Sequence, residues 1–298
     1  MELAYSSWIN VKQALQLIGE HPLCRENMER FLISYANGMS DMDSINSLLL
    51  DECQRKNIKC DMEMILNIHM ILKQKHKLPK RLPFECLRLV SSERTKMLLK
   101  CHKATRYDIL KSLLRYEACL PGGQQWSIPT SIYKMLVEDF GVTVEAFASP
   151  FNSQILRFGH KYCSLFEEYD AIFGSIGSFF KYVPRPGTVI CANPPFILDI
   201  VASTIDLCLK HVNAIPDLCY ILVLPNWTDA EYYNKLRDSE YTKYFTVMER
   251  GKFVFTCKQK SKELVCNVLF AVIGKCDNPK DFDRILDRWA SIGKSSIQ

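Results

Sequence analysis

The sequence predicts an α/β protein: an open, largely parallel sheet closed by an antiparallel pair of strands, with an all-helical region ahead of it. Three observations carry this. Apolar, β-branched runs such as Gly187-Thr188-Val189-Ile190 and Leu218-Cys219-Tyr220-Ile221-Leu222-Val223-Leu224-Pro225 read as buried strands. Between them, residues 197–209 place their apolar side chains at helical spacing. Residues 252–256 and 265–274 are two further strand-like runs, joined by the basic loop Lys258-Gln259-Lys260-Ser261-Lys262. That connection is too short for a parallel crossover and implies an antiparallel pair.

The bulk composition narrows the class. With 298 residues, 48% of them hydrophobic and 24% charged, the chain has the make-up of a globular protein of one large or two smaller domains. No uninterrupted apolar run approaches ~20 residues, so no membrane span and no membrane partner are expected. The start, Met1-Glu2-Leu3-Ala4-Tyr5-Ser6-Ser7, lacks the basic and apolar regions of a secretion signal. The 13 cysteines are odd in number and include no Cys-x-x-Cys spacing, which excludes a zinc ribbon or a dithiol redox pair. They read as reduced thiols of an intracellular protein, nuclear or cytoplasmic. The six histidines form no His-Glu-x-x-His pattern, and no metal is expected.

Charge is uneven along the chain. Residues 73–115 hold 13 Lys/Arg against 3 Asp/Glu, residues 1–72 hold 6 against 10, and residues 129–298 hold 19 of each. A polyanion would therefore be met by one segment. Residues 1–72 repeat apolar positions such as Trp8, Val11, Leu15 and Ile18 at helical spacing and carry no evident chemistry. Residues 73–83 form a basic, proline-containing loop, either a solvated connection or a localisation patch. Residues 92–116 then bury Met97, Leu98, Leu110, Leu113 and Leu114. Lys96, Lys100, Lys103, Arg106 and Lys111 fall largely on another face, with Arg115 following. Such a ridge is either a solvated helix face or one that holds phosphates, and Tyr107, Tyr116 and His102 among it are able to stack on a base.

The turn-rich stretch Leu120-Pro121-Gly122-Gly123-Gln124-Gln125-Trp126 sets a boundary, giving a helical domain at 1–125 and a sheet domain at 126–298. Trp126 is either a packing anchor or part of a groove. Residues 142–152 read as a strand ending in a small-residue loop, Ala148-Ser149-Pro150-Phe151-Asn152, in the place where an open α/β sheet usually carries its cofactor. No Gly-x-Gly is present there. Residues 169–180 place Asp170 beside a strand-like piece. An acid at the end of the second strand commonly takes ribose hydroxyls, so Asp170 is either such an acid or part of a plain turn. Gly174 and Gly177 allow close backbone approach. Trp227, after the strand ending at Pro225, is either core or an exposed stacking platform, the second being favoured. Asp283, Leu286 and Trp289 mark a terminal helix.

The chain turns on Cys191-Ala192-Asn193-Pro194-Pro195-Phe196, between a strand and a helix. The exocyclic amine of adenine is a poor nucleophile. An Asn side-chain oxygen and a backbone carbonyl can each accept one of its hydrogens, aiming the nitrogen and favouring the charge that develops as it attacks a methyl sulfonium. Successive prolines lack N–H groups and stiffen the loop. An aromatic face stacks on the base for roughly 1–3 kcal/mol. Asn193, Pro194, Pro195 and Phe196 are therefore the candidate catalytic residues, against the plainer reading of a proline-stiffened turn.

Several ordered blocks extend this pattern: Glu145-Ala146-Phe147-Ala148-Ser149-Pro150-Phe151-Asn152, Tyr162-Cys163-Ser164-Leu165-Phe166, Phe173-Gly174-Ser175-Ile176-Gly177, Ala192-Asn193-Pro194-Pro195-Phe196 and Pro225-Asn226-Trp227. With them the chain resembles the cap-specific adenosine N6-methyltransferases related to the phosphorylated-CTD-interacting factor, over roughly residues 120–275. The resemblance implies a Rossmann-like class I methyltransferase sheet with an antiparallel C-terminal hairpin and an all-helical RNA- and cap-binding domain before it. It implies S-adenosylmethionine as cofactor, near Ala148, Ser149, Pro150, Asn152, Asp170, Gly174 and Asp199. The substrate would be capped RNA, methylated at N6 of the first transcribed (2′-O-methyl)adenosine, with Lys100, Lys103, Arg106, Arg115, Pro225 and Trp227 on the RNA. The alternatives are N6-methylation of another RNA or of DNA, or a catalytically silent RNA-binding subunit. The paired tryptophans of the family's WW module are not found here, so binding to the RNA polymerase II tail is not expected of this chain.

Overall fold

The computed structural model describes residues 90–101, 104–119, 125–257, 260–263 and 266–296, together with Gln13, Met70 and Gln74. The helical reading of residues 1–72 and the basic loop at 73–83 fall almost wholly outside these, as do His102, Lys103, residues 120–124 and Lys258. The chain divides into two units, Met1–Gln124 and Gln125–Gln298.

In the first unit, α1 (Ser92–Leu99) starts where the Ser91 side chain accepts the Arg94 N–H at 3.1 Å and ends at Lys100 as its C-cap. Thr105 and Asp108 then open α2 (Arg106–Cys119) with a reciprocal cap. Asp108 Oδ2 accepts the Thr105 N–H at 2.9 Å, and Thr105 Oγ1 accepts the Asp108 N–H at 3.3 Å. Two caps within six residues break the single basic ridge expected from the sequence into two separate helices. Tyr116 is buried, so it offers no stacking face, whereas Tyr107 is exposed.

The second unit opens with β1 (Trp126–Ser127) and α3 (Thr130–Phe140). Gly141, at φ 70°, stops α3 in the left-handed conformation that a side chain would disfavour, and the chain turns directly into β2 (Val142–Ala148). There follow β3 (Lys161–Ser164), the one-turn α4 (Glu167–Asp170), β4 (Val189–Ala192), α5 (Leu198–Ala214), β5 (Cys219–Pro225), α6 (Glu231–Arg237), β6 (Thr242–Met248), β7 (Val254–Cys257), β8 (Lys260–Glu263), β9 (Val268–Gly274) and α7 (Asp281–Ser296). The main sheet has the order β3-β2-β4-β5-β9-β6. Its first four strands are mutually parallel, and β9 runs antiparallel to both β5 and β6.

Side chains alternate across this sheet. Cys191, Ile221, Val223, Phe270 and Val272 join one core with Tyr133, Leu136, Phe282 and Trp289 from α3 and α7. Ile190, Ala192, Tyr220, Leu222 and Leu224 join the other with Val201, Ile205 and Leu236 from α5 and α6. Every residue of β5 and β9 is buried, as neighbours on both sides and helices on both faces require.

The antiparallel pairing differs from the sequence expectation. Residues 252–256 and 265–274 do not pair with each other. β7 pairs with β1 and β8 in a separate three-stranded sheet, and β9 takes β5 and β6. The residues read as a basic loop include the strand β8, Lys-Ser-Lys-Glu, exposed at all four positions. A charged strand like this suits an edge, paired on one side and facing water on the other. The stretch at 169–180 contains no strand, but a short helix and two 3₁₀ turns. The second parallel strand is β3 instead. Among the described residues, no helix is long and apolar enough to cross a membrane.

Candidate active site

After β2 the chain moves outward to β3, then crosses back to β4 on the other side of β2. Ligands of open α/β sheets bind in the crevice at the carboxyl ends of the strands where the order reverses in this way. Here that crevice lies between the end of β2, which leads into Ala148-Ser149-Pro150, and the end of β4, which leads into Asn193-Pro194-Pro195-Phe196. The register pairs Glu145 with Cys191, so the two loops leave the sheet at nearly the same level. On the other side of β4, Ala192 pairs with Leu222, which brings the Pro225-Asn226-Trp227 loop of β5 alongside.

The Asn193 loop is shaped by its prolines and by one hydrogen bond. The Ile197 N–H donates to the Pro195 carbonyl at 2.7 Å, which folds the chain back into α5. Pro194 is buried, while Asn193, Pro195 and Phe196 are half-buried, and Phe196 packs its inner side on the core formed with α3 and α7. Among the described residues the Asn193 side chain has no hydrogen-bond partner. A turn-forming Asn would bond its own backbone, so the plainer reading of Asn193 loses its main support. Cys191, two residues before it, is not a rival nucleophile. Burial, followed by the charge of Glu145, pushes its thiol far above the usual range.

The loop after β2 is a knot of polar side chains. Asn152 Oδ1 accepts the Ser149 N–H at 2.7 Å, and Ser149 Oγ accepts the Phe151 N–H at 3.1 Å. The Ser153 N–H donates to the Ser149 carbonyl at 3.0 Å. Glu145 Oε2 accepts from Ser153 Oγ at 2.8 Å, the Gln154 N–H at 2.9 Å and the Ile155 N–H at 3.1 Å. Pro150 has no N–H to offer. The main-chain donors at 149, 151, 153, 154 and 155 are thus all engaged within the protein. A pyrophosphate cradle needs several free N–H groups at this place. Only that of Asn152 is left without an acceptor among the described residues, so the loop does not fit a dinucleotide. It fits a cofactor without phosphate.

On the substrate side, the Tyr232 hydroxyl donates to the Pro225 carbonyl at 2.7 Å, and the Asn226 N–H donates to the Asn267 carbonyl at 3.0 Å. Trp227 is half-buried against the core formed with α5 and α6, its ring 6.5 Å from that of Tyr232. The freely exposed platform favoured from the sequence is therefore not what forms. Among the described residues, the buried Asn226 side-chain oxygen has no hydrogen-bond partner.

The remaining residues singled out in the sequence lie elsewhere. Asp170 is completely buried at the end of α4 and does not follow a strand. The first acid after β3 is Glu167, exposed, with a carboxylate oxygen 2.8 Å from where a side chain on Gly177 would begin. It lies about the twenty residues beyond the first loop that a ribose-binding acid usually occupies. That spacing is present in the sequence, but the strand-like look of residues 169–180 masks it. Gly174, at φ 95°, serves a 3₁₀ turn. Asp199 is exposed in the first turn of α5, and Lys100 and Arg106 are exposed in the first unit, where Arg115 is half-buried. Lys103 lies outside the described residues.

The chain is 31% identical over 149 residues to the mRNA (2′-O-methyladenosine-N(6)-)-methyltransferase of Homo sapiens. It is 32% identical over 151 residues to the protein of the same name from Mus musculus. The alignments cover 50% of this chain and 19% of each relative, so the chain spans about a fifth of the length of the curated relatives it matches. The family model described as "Phosphorylated CTD interacting factor 1 WW domain" matches residues 87–257, more than half of the chain. In this chain those residues are α1 and α2 and the strands from β1 to β7, with Trp126 on β1 and Trp227 past the end of β5. The match takes in the loops of β2, β4 and β5 together, and on it the chain belongs to the family of phosphorylated CTD interacting factor 1.

Proposed function

We propose that this chain transfers a methyl group from S-adenosylmethionine to N6 of the first transcribed adenosine, or 2′-O-methyladenosine, beside a 7-methylguanosine cap. The observation that carries the proposal is the Asn193 side chain, held beside the crevice between β2 and β4 by two prolines and without a hydrogen-bond partner among the described residues. The curated relatives bear the name of this activity. The second unit is read as a Rossmann-like class I methyltransferase domain, with β9 as the inserted antiparallel strand.

When bound, S-adenosylmethionine supplies an electrophilic methyl on a positively charged sulfur. The chain's own part is to aim the acceptor amine. Asn193 Oδ1 and the Pro194 carbonyl each take one N–H, which turns the nitrogen lone pair toward the crevice. The same acceptors favour the positive charge that grows on that nitrogen. No base has to act first, because the amine proton becomes acidic only as the nitrogen is alkylated. Phe196, fixed on its inner side, offers its outer face to the adenine. Ala148, Ser149, Pro150 and Asn152 shape the cofactor end, and Glu167 takes the place first given to Asp170 for the ribose hydroxyls. Pro225 and Trp227 border the substrate, and Lys100, Lys103, Arg106 and Arg115 of the first unit are read as contacts to RNA phosphates. Binding to the RNA polymerase II tail is not assigned to this chain, whose four tryptophans do not form the closely spaced pair of a WW module.

The test is methyl transfer from labelled S-adenosylmethionine to a short RNA beginning with a 7-methylguanosine cap and adenosine, beside the uncapped RNA and the Asn193→Ala protein. Label on N6 of the cap-adjacent adenosine, lost in Asn193→Ala, is the expected result. Label on internal adenosines would move the substrate to another RNA. Cofactor binding without turnover on any RNA or DNA would make the chain a silent RNA-binding subunit.

A further inference from the structure

Polar side chains are expensive to bury and are kept where they fix one conformation. Among the described residues, eleven polar or charged side chains are buried. Six of these, Gln125, Ser127, Glu145, Ser149, Ser153 and Gln154, belong to one cluster around the loop that follows β2. Glu145 holds that loop from within the strand. Its other side is held by three consecutive residues from the start of the second unit. The Ser149 hydroxyl donates to Gln125 Oε1 at 2.5 Å. Asn152 Nδ2 donates to the Trp126 carbonyl at 3.3 Å, and Gln154 Nε2 donates to Ser127 Oγ at 2.9 Å. The clamping tripeptide is itself fixed, because β1 pairs with β7 and Ser127 Oγ donates onward to the Thr256 carbonyl at 3.4 Å.

A glycine-rich loop reaches its ligand through backbone freedom. This loop has no glycine between Ala148 and Gln154, and its shape is dictated by side chains. Ser149 is the residue on which that shape turns. Its N–H, its hydroxyl and its carbonyl are all engaged; the hydroxyl accepts from Phe151 N–H and has its one proton within reach of Gln125 Oε1 at 2.5 Å and, at the longer 3.1 Å, of Asn152 Oδ1, so the shorter contact to Gln125 sets its direction. Resting on the cofactor reading above, we propose that Gln125 is a positioning residue for S-adenosylmethionine. Its side-chain oxygen orients the Ser149 hydroxyl and so sets the loop against which the cofactor lies, without itself touching the reacting atoms.

The experiment compares the full chain with Gln125→Leu, Ser149→Ala and the double variant. It measures calorimetric binding of S-adenosylmethionine and S-adenosylhomocysteine, and kcat and KM for capped RNA. Gln125→Leu weakens binding of both ligands about tenfold, the scale of one buried hydrogen bond. It leaves kcat at saturating cofactor and KM for RNA within about twofold of wild type. The double variant binds about as weakly as the worse single one, because both substitutions break the same link. If Gln125→Leu does not fold, Gln125→Asn takes its place, since it keeps the amide but withdraws the oxygen by one methylene. Unchanged cofactor binding in these variants overturns the proposal, as do additive losses in the double variant or a fall in kcat with binding intact. A wild-type chain that binds neither ligand overturns the cofactor reading and the clamp with it, and shows itself before any substitution is made.

Discussion

Asn193 and Asn226 are two amides on neighbouring loops with opposite accounts. Asn193 is half-buried and open to a ligand, and removing it should cost transition-state stabilisation alone. Asn193→Ala is expected to lower kcat by about 10²–10³-fold, as the loss of one transition-state hydrogen-bonding group does, with cofactor affinity measured by calorimetry unchanged. Asn226 has a buried oxygen with no partner among the described residues, a group whose desolvation costs about 1–3 kcal/mol uncompensated. Asn226→Leu, which keeps the branched outline of the side chain at somewhat larger volume, should therefore raise the melting temperature in scanning calorimetry, and a fall would show that the oxygen is satisfied in solution. At this scale the Asn193-Pro194-Pro195-Phe196 stretch stands out in the sequence, because the chemistry proposed for it is local to four residues. The clamp on Ser149 does not, because Gln125 lies 24 residues away and no periodicity joins the two. Asp170 was misread for a related reason. Burial is decided by the packing of α4 and its neighbours, and an acid in a sequence gives no sign of it.

Among the elements, β2, β4, β5 and β9 were evident from their apolar, β-branched runs, since strands buried on both faces need little else. β6 escaped notice. Its Thr-Lys-Tyr-Phe-Thr-Val-Met is largely half-exposed, as an edge strand's pattern is, and lacks a continuous apolar run. β8 has no apolar residue at all, so only its pairing with β7 makes it a strand. The two-helix form of residues 92–119 rests on Ser91, Thr105 and Asp108, whose caps outweigh a continuous helical period. The junction of α3 and β2 gives the cleanest test of a single backbone angle. Gly141 has open space around the position of a side chain, so Gly141→Ala adds no clash and only the left-handed conformation. A loss of about 1–2 kcal/mol in urea unfolding is expected, with methyl transfer unchanged in the folded fraction.

For the molecule as a whole, acid stability turns in part on α5. His211, in its last turn, has its pKa lowered, first by burial and then by the nearby charge of Lys210. The Tyr220 hydroxyl, kept protonated by burial, sits 2.7 Å from His211 Nδ1. Between that lowered value and the ordinary 6.5, the unfolded chain carries the proton and the folded chain does not. Stability present above pH 6.5 is therefore lost as the pH falls through this window. Urea midpoints of wild type and His211→Gln, measured from pH 7.5 to 5, should converge on acidification, and parallel curves would remove His211 from the account. The order of the sheet also bears on synthesis. Among the described residues β9 is the sheet strand latest in chain order, yet it lies between β5 and β6 and is the one strand there that pairs with β6. A nascent chain stalled on the ribosome before Val268 presents an open edge on β5 and a strand with nothing to pair. It should stay sensitive to protease until β9 emerges, so that a sheet whose parallel half is encoded earlier is completed only by a later strand.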